Sequence, residues 1–269
     1  MGTSTEGGTG ARATRRRGQP GEMAPNPARI YDYWLGGKDH YACDREVGEQ
    51  VARTAPWAPA GARASRAYLR EGVLWLTAQG IDQFLDVGSG LPTAGNVHQI
   101  AQHLNRAARV VYVDHDPVVL SHARVIVAPD PGVLVLEGDL RDPASILAQV
   151  REHPDVLDLT RPFALLLSAV LHFVPDDARP GELVRAFRAV MAPGSHLLVS
   201  HVVADDDEAG RATRVAAAAY SNAAQPFIAR TTAEITRFFD GFTLVPPGAH
   251  PLVQNGRPST VLGGIGIVA

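Results

Sequence analysis

The sequence predicts an α/β fold, with a mostly parallel sheet of seven strands, an antiparallel last strand and an amino-terminal helical extension. From residue 65 onward, short apolar runs of strand length alternate with segments of helical periodicity. Alternation of this kind is typical of a parallel sheet covered by helices on both faces. The last two predicted strands, 242–245 and 260–268, are joined by a loop too short for a crossover helix, so we expect antiparallel neighbours.

Length and composition limit the possible functions. The chain has 269 residues, of which 45% are hydrophobic and 20% charged, so it is long enough to bury a large core. The formal net charge of −3 argues against a domain-wide surface for nucleic acid. The single cysteine, Cys43, excludes an intramolecular disulfide and a multi-cysteine metal site. The sequence shows no secretory or membrane segment, and we expect a cytoplasmic protein.

The amino-terminal part of the chain is expected to differ from the rest. Residues 1–24 are polar and rich in glycine and threonine, which predicts a disordered tail. Residues 25–64 are predicted to be a helical extension, in which Gly36 and Gly37 mark a turn and a proline and alanine stretch at 56–64 closes the segment. Two interpretations of this extension remain open, a lid over a ligand cleft and an aromatic helix packed on the sheet edge.

Residues 65–269 are predicted to form the ligand-binding α/β domain. The first helix, 65–79, has apolar residues at helical spacing and ends at Gly80. We expect Asp205 and Thr231 to be the N-caps of two later helices. The other predicted helices are 93–103, 117–127, 144–151, 180–191, 205–220 and 231–239, and the other strands are 83–87, 109–113, 133–137, 162–170 and 195–203.

The strongest functional signal follows the first predicted strand. Leu85-Asp86-Val87-Gly88-Ser89-Gly90 is an apolar strand that ends in an acid and a Gly-x-Gly turn before a helix. Glycines let a ligand approach the backbone closely, and ligands of doubly wound sheets bind at the carboxyl ends of the strands. The segment therefore predicts a ligand-binding turn.

Acidic residues also follow the next two strands. Asp114 lies 28 residues after Asp86, about one strand–helix–strand unit, and a carboxylate there can accept both hydroxyls of a ribose. Asp139 lies a further 25 residues along the chain, where a carboxylate can accept an amino-group proton from an adenine. Three acids at successive strand ends therefore predict an adenosine-containing ligand.

A nicotinamide dinucleotide would use the same fold, and its fingerprint is Gly-x-Gly-x-x-Gly. Here Gly88 and Gly90 are followed by Thr93 in place of the third glycine. The carboxylate of Asp86 is also poorly placed for a pyrophosphate and suits a cationic ligand better, such as the amino acid end of S-adenosylmethionine. A nicotinamide-dependent oxidoreductase is kept as the less favoured alternative.

The three strand ends together resemble the class I S-adenosylmethionine-dependent methyltransferases, which implies a Rossmann-like fold. The resemblance rests on Leu85-Asp86-Val87-Gly88-Ser89-Gly90, Val113-Asp114 and Gly138-Asp139. It implies S-adenosylmethionine as the cofactor, with contacts from Asp86, Gly88, Ser89 and Gly90 at the turn, Asp114 at the ribose, His115 beside the adenine, Asp139 and Leu140 at the adenine edge, Ser168 beneath the methionine portion, and Tyr33 in the extension.

More narrowly, the chain is similar to an actinobacterial subfamily of S-adenosyl methyltransferases. The motifs that carry this resemblance are PNPARIYDYWLGGKDHY at 25–41, GLPTAGNVH at 90–98 and VLHFVPD at 170–176. They extend the resemblance over about residues 25–269. The resemblance implies an enzyme that transfers a methyl group, and it gives no methyl acceptor.

The residues also allow a prediction about catalysis. Methyl transfer from a sulfonium is an in-line displacement, for which a protein supplies orientation and sometimes a base. His172 follows the fourth strand, where the reactive methyl should point, and is the first candidate base, with His201 the second. The alternative, that His172 orders the following loop, remains open. The spacing of the other histidines does not indicate a metal site, so none is expected.

The expected partner is a small-molecule methyl acceptor, with no nucleic acid and no membrane, and the oligomeric state is left open. The main alternative is a non-catalytic protein that binds S-adenosylmethionine or S-adenosylhomocysteine as a sensor. Such a protein would bind these ligands tightly without turning over an acceptor, and would carry no base near the methyl group.

Overall fold

The computed structural model describes residues 24–92, 95–127, 130–254 and 256–269. All but the last residue of the predicted disordered tail, 1–24, lies outside these ranges, as does Thr93. Within them the helices are α1 (Pro27–Trp34), α2 (Ala42–Thr54), α3 (Ala58–Ala78), α4 (Val97–Leu104), α5 (Pro117–Val127), α6 (Pro143–Arg151), α7 (Pro180–Arg188), α8 (Glu208–Ala217) and α9 (Thr232–Thr236). The strands are β1 (Gln83–Val87), β2 (Arg109–Asp114), β3 (Val133–Glu137), β4 (Ala164–Ser168), β5 (His196–Val202), β6 (Thr243–Leu244), β7 (His250–Gln254) and β8 (Arg257–Ile267).

The strands form one sheet in the order β3-β2-β1-β4-β5-β8-β6, with β7 paired to β8. Strands β1 to β5 pair in parallel, and β8 runs antiparallel to β5, β6 and β7. The predicted mostly parallel sheet with an antiparallel end is confirmed. The described residues form eight strands in place of the predicted seven, because β7 contains Pro251 and its sequence does not predict a strand. Proline is tolerated there since β7 pairs with one neighbour, β8.

Successive residues of the central strands point to opposite faces of the sheet, as a strand period of two requires. Leu85 and Leu165 belong to one buried cluster, which α6 and α7 help to cover. Phe84 and Leu166 belong to a second cluster on the other face, against α3, α4 and α5. Both faces are therefore buried, and this explains the near-continuous apolar runs of β1 and β4.

Three predicted helix starts are corrected. The stretch 56–64, expected to be a closing linker, supplies the first turns of α3, where a proline in the first turn is tolerated. Helix α4 starts at Val97 and has a capping box with Asn96, later than the predicted residue 93. The N-cap of α8 is Asp207, whose side chain accepts from the backbone N–H of Gly210 at 2.6 Å.

The helix–turn–helix predicted for the extension is present as α1 and α2. Gly36 has φ +80°, and a Cβ on Gly37 would lie 1.9 Å from Oδ1 of Asp32, so the turn requires both glycines. The two helices share a buried cluster with α8 and the segment after it, in which Ile30 and Tyr220 are core members. The extension thus packs beside the carboxyl ends of the parallel strands.

None of the helices in the described ranges is long and apolar enough to cross a membrane.

Candidate active site

A cleft of about 280 Å³ lies at the carboxyl ends of β1, β2 and β4. We call it the strand-end cleft. Parallel strands end together at this edge, so side chains distant in sequence meet there. Its walls include the predicted residues Asp86, Gly88, Ser89, Gly90, Asp114, His115, Asp139, Leu140 and Ser168.

Tyr33 is the exception among the predicted cofactor contacts. Its hydroxyl lies 3.5 Å from Oε1 of Glu49 and its ring packs on His40, away from the cleft. Tyr31, two positions earlier on α1, lines the cleft and donates from its hydroxyl to the carbonyl of Ala62 at 2.9 Å. Residues two apart on a helix face different directions, so Tyr31 and not Tyr33 of the Tyr-Asp-Tyr motif lies in the cleft wall.

The two glycines of the turn after β1 are needed for different structural reasons. Both have positive φ, +73° at Gly88 and +66° at Gly90. A Cβ on Gly88 would lie 2.3 Å from Val170, so this glycine allows the turn to pack on the segment after β4. Among the described residues, a Cβ on Gly90 would meet only Ala28, at 3.9 Å, which leaves room for a ligand above this glycine.

Asp86 places a buried carboxyl group in the cleft wall. It is 5% exposed, and burial raises its pKa to about 7, with the negative charge of Asp114 adding to this and the guanidinium of Arg66 opposing it. A cationic group of a ligand beside Asp86 would favour its ionised form.

Asp114 ends β2 and holds the glycine turn in place. Its Oδ2 accepts the N–H of Gly90 at 2.9 Å, and its Oδ1 accepts the N–H groups of His115 and Asp116 at 2.8 and 3.0 Å. Burial raises the pKa of Asp114, although these hydrogen bonds oppose the shift. Each carboxylate oxygen has two acceptor sites, so Asp114 can order the turn and still accept a ligand hydroxyl.

Asp139 forms an ion pair with Arg141, a residue that the sequence prediction did not include. Its carboxylate accepts hydrogen bonds from the side chain of Arg141, which also lines the cleft. The hydrogen bond from Arg141 lowers the pKa of Asp139 and keeps the group ionised. The carboxylate therefore faces a guanidinium, and a ligand at this end of the cleft meets an ion pair.

Three serine hydroxyls connect the cleft to the sheet. Ser168 lies 3.0 Å from the hydroxyl of Ser200, which in turn lies 2.7 Å from that of Ser65 on α3. Ser200 also accepts the N–H of Ala169, which has φ +54°. This chain fixes the backbone where β4 leaves the sheet.

Several cleft residues were missed by sequence reasoning. Asn26 caps α1 and donates from its side chain to Asp116, which lies 90 positions away. Gln225 reaches Nε2 of His115 at 2.7 Å across the mouth of the cleft. Arg66 lies on α3 beside Asp86. The Asn-Pro pair at 26–27 is a helix-start signal, but nothing local points to the other two residues.

Buried polar groups join the start of α1 to α2 within the extension. Asp44 is fully buried and accepts the N–H groups of Asn26 and Tyr41, at 2.9 and 2.8 Å. Nε of Arg29 also donates to Asp44 at 2.8 Å. A buried ion pair satisfied by further hydrogen bonds is costly to break, so the start of α1 is firmly placed.

A second space, which we call the apolar pocket, adjoins the strand-end cleft. Its free volume is about 70 Å³. The two spaces share the wall residues Pro27, Tyr31, Ala169 and Phe173. Both candidate bases, His172 and His201, line the apolar pocket. They were predicted near a reactive methyl group, and they lie one layer beyond the strand-end cleft.

The two histidines are bonded differently. His201 has Nδ1 2.7 Å from the carbonyl of Val202, and Nε2 3.3 Å from a guanidinium nitrogen of Arg230. The arginine can only donate, so Nε2 accepts, and the second candidate base is held neutral with both nitrogens used. Burial lowers the pKa of His201 to about 3.

His172 is buried, and its Nδ1 has no hydrogen-bond partner in the described part of the chain. Burial lowers the pKa of His172 well below its usual value, and the neighbouring His201 and Arg230 add to the effect. The imidazole is therefore neutral at pH 7 and retains an unused ring nitrogen. Among the described residues, no group of three or more potential metal ligands is found.

Comparison with known proteins gives the family. The model of the S-adenosyl methyltransferase family matches residues 18–260. A candidate methyltransferase from Thermobifida fusca YX is 38% identical, with 91% of this chain and 95% of that chain covered and a TM-score of 0.82. A DUF574 family protein from Streptomyces avermitilis MA-4680 is 36% identical, with 91% and 98% covered and a TM-score of 0.84.

A more distant structure shares the fold. It is the 1,6-didemethyltoxoflavin-N1-methyltransferase of Burkholderia thailandensis, solved with 1,6-didemethyltoxoflavin and S-adenosylhomocysteine. It is 16% identical, with 76% of this chain and 79% of that chain covered and a TM-score of 0.50. No curated protein matches the chain. The family model covers most of the chain, and the Thermobifida and Streptomyces proteins are 38% and 36% identical to it over nearly their whole length. The chain therefore belongs to the S-adenosyl methyltransferase family and is an S-adenosylmethionine-dependent methyltransferase.

Proposed function

We propose that the strand-end cleft binds S-adenosylmethionine and that the enzyme methylates a small molecule held in the adjoining apolar pocket. The observation that carries the proposal is the pair of buried carboxyl groups, Asp86 and Asp114, in the wall of a cleft that opens onto a second space. When bound, S-adenosylmethionine supplies an electrophilic methyl group on a sulfonium.

The charges of the cleft suit this cofactor. Acidic groups outnumber basic ones, with Asp86, Asp114, Asp116 and Asp139 against the two arginines of the wall. S-adenosylmethionine carries a sulfonium and an ammonium against one carboxylate, so its net charge is positive. An anionic pyrophosphate would meet carboxylates at the turn, and this supports the adenosyl ligand over a nicotinamide dinucleotide.

The proposal gives the main polar residues of the wall separate tasks. We assign Asp86 to the ammonium group and Arg66 to the carboxylate of the methionine end. Asp114 would accept a ribose hydroxyl at its remaining acceptor site, and the open space above Gly90 admits the sugar. His115, Leu140 and the Asp139–Arg141 pair would border the adenine, while Ser168 would lie beneath the methionine portion.

His172 is assigned as the base. Transfer of the methyl group, with S-adenosylhomocysteine as the leaving group, would make the attacking O–H or N–H of the acceptor strongly acidic, so its proton must pass to a base. A neutral, weakly basic imidazole can take such a proton. His201 cannot serve in the same way, because Arg230 donates to the nitrogen that it would need.

The proposal is tested by calorimetric titration of the purified protein with S-adenosylmethionine, S-adenosylhomocysteine and NADH. We expect a dissociation constant near micromolar for the adenosyl ligands, about 8 kcal/mol of binding free energy, and no heat with NADH. Asp114→Asn keeps an oxygen for the turn and should weaken adenosyl binding by at least tenfold. Binding of NADH alone, or unchanged affinity in Asp114→Asn, would contradict the proposal.

A further inference from the structure

The apolar pocket is walled by aromatic side chains from several elements. Phe173 follows β4, while Tyr220 and Phe227 lie in the segment after α8. The ring centroids of Tyr220 and Phe227 are 5.3 Å apart, and each lies 5.8 Å from that of Phe173. Trp34 and Trp57 add two indole rings from the extension. Such walls suit the flat faces of an aromatic ligand, since offset and edge-to-face ring contacts are favourable.

The pocket offers no charge to a ligand. None of its described wall residues is Asp, Glu, Lys or Arg. A charged group moved into it would lose its hydration without gaining a partner, which is strongly unfavourable. The strand-end cleft next to it is rich in carboxylates, so the cleft suits a cationic ligand and the apolar pocket an uncharged one.

The polar groups of the wall are largely used within the protein. Tyr31, Trp34 and Thr213 donate to backbone carbonyls at 2.9, 3.3 and 2.9 Å, and Ser65 is bonded to another serine hydroxyl. Nδ1 of His172, in contrast, is buried without a partner in the described residues. Buried polar atoms are normally satisfied, so this nitrogen marks where a ligand hydroxyl or amino group would bond.

From these contacts we infer that the methyl acceptor is an uncharged aromatic molecule with one hydroxyl or amino group, bound with its ring among Phe173, Tyr220 and Phe227 and its polar group at His172. This inference rests on the proposed function and names its substrate class. The free volume of about 70 Å³ is less than the roughly 150 Å³ of a dry cavity that holds benzene. Part of the acceptor therefore lies in the shared boundary with the strand-end cleft, toward the reacting methyl group.

The test compares two matched phenols on protein saturated with S-adenosylhomocysteine. The probes are 2-naphthol and 6-hydroxynaphthalene-2-sulfonate, which share the ring and hydroxyl and differ by one negative charge. Binding is measured by calorimetry, and methylation by release of S-adenosylhomocysteine from S-adenosylmethionine. We expect 2-naphthol to bind at least tenfold more tightly than the sulfonate and to be the better acceptor.

Three variants locate the binding site. Ala217→Phe fills the pocket from α8 and should weaken 2-naphthol binding at least tenfold, while Val215→Phe, at an exposed position of the same helix, should leave it unchanged. Phe227→Ala removes one aromatic wall without overfilling the pocket and should also weaken 2-naphthol binding. The affinity of each variant for S-adenosylhomocysteine reports whether it is folded and should equal that of the wild type.

Two results would overturn the inference while leaving the proposed function intact. One is normal S-adenosylhomocysteine binding with no 2-naphthol binding, or with equal or tighter binding of the sulfonate. The other is wild-type 2-naphthol affinity in both Ala217→Phe and Phe227→Ala. Failure of the wild-type protein to bind S-adenosylhomocysteine would instead refute the proposed function, and the inference with it.

Discussion

Asp86→Asn is expected to stabilise the ligand-free protein at pH 8. The wild-type carboxyl is 5% exposed, and burial raises its pKa to about 7. An aspartate in an unfolded chain has a pKa near 4. Between these two pH values the folded protein holds a proton that the unfolded chain has released. The free energy of unfolding therefore falls as the pH rises through this window.

The size of the effect follows from the two pKa values. A difference of about 3 pH units corresponds to about 4 kcal/mol, which is the ceiling for the stabilisation of Asp86→Asn at pH 8. At pH 5 the wild-type group is protonated in the folded state, and the ceiling falls to about 1.5 kcal/mol. The difference between variant and wild type should therefore shrink as the pH is lowered.

Urea unfolding of the ligand-free protein at pH 8 and pH 5 measures both values. Asp82→Asn is the matched control, because Asp82 precedes the same strand, is partly exposed and pairs with Arg161 on the surface. This control should change the free energy of unfolding by less than about 1 kcal/mol at either pH. If Asp86→Asn is no more stable than the wild type at pH 8, then Arg66 compensates the buried charge and the assigned pKa is wrong.

The same carboxyl makes ligand binding depend on pH. If Asp86 pairs with the ammonium of S-adenosylmethionine, binding requires the ionised form and releases a proton below pH 7. The affinity should then fall by about tenfold for each pH unit below 7. In Asp86→Asn the affinity should be lower at pH 8 and should lose this dependence, which calorimetry in buffers of different ionisation enthalpy would detect.

Three further outcomes are expected. Gly37→Ala should lower the melting temperature more than Gly36→Ala, because a Cβ on Gly37 would collide with Asp32, whereas one on Gly36 strains the backbone at φ +80° but meets no atom of the described residues within 4 Å; equal shifts would contradict the clash. Arg230→Met should lower the free energy of unfolding by about 2–6 kcal/mol in urea, because two carbonyls after β4 would lose the buried guanidinium that donates to them; a cost below about 1 kcal/mol would refute this. His172→Phe should lower kcat by about 10²–10⁴-fold in an assay of S-adenosylhomocysteine release, and calorimetry should show an unchanged affinity for S-adenosylhomocysteine. An unchanged kcat would refute the assignment of His172 as the base.

Much of the strand-end cleft could be predicted because its signals are local. Each strand that contributes an acid is apolar and short, and the acid lies at or just beyond its carboxyl end, as with Asp86 and Asp114. The parallel topology then brings these ends together without further information. Tyr33 was predicted in the cleft and lies outside its walls, because a dense aromatic motif does not itself show which face of α1 meets the cleft.

Other parts of the site depend on contacts between distant residues. The side chain of Asn26 reaches Asp116, and the hydroxyl of Ser65 reaches Ser200, 135 positions away. Such pairs leave no pattern in a single sequence, because each residue alone is an ordinary cap or helix position. The predicted N-cap of α8, Asp205, was wrong for the same reason. Its carboxylate accepts a hydrogen bond from the backbone N–H of Thr232, which is distant in sequence, and Asp207 caps the helix instead.

The extension also joins the two halves of the proposed site. Pro27 and Tyr31 of α1 belong to the walls of both the strand-end cleft and the apolar pocket. The start of the same helix is fixed by the buried pair of Arg29 and Asp44, and removing one partner of such a pair costs about 3–5 kcal/mol. A lid that opened by moving α1 alone, away from α2, would have to break this pair in every cycle. The contacts therefore favour α1 and α2 as one rigid unit whose first helix borders both halves of the proposed site.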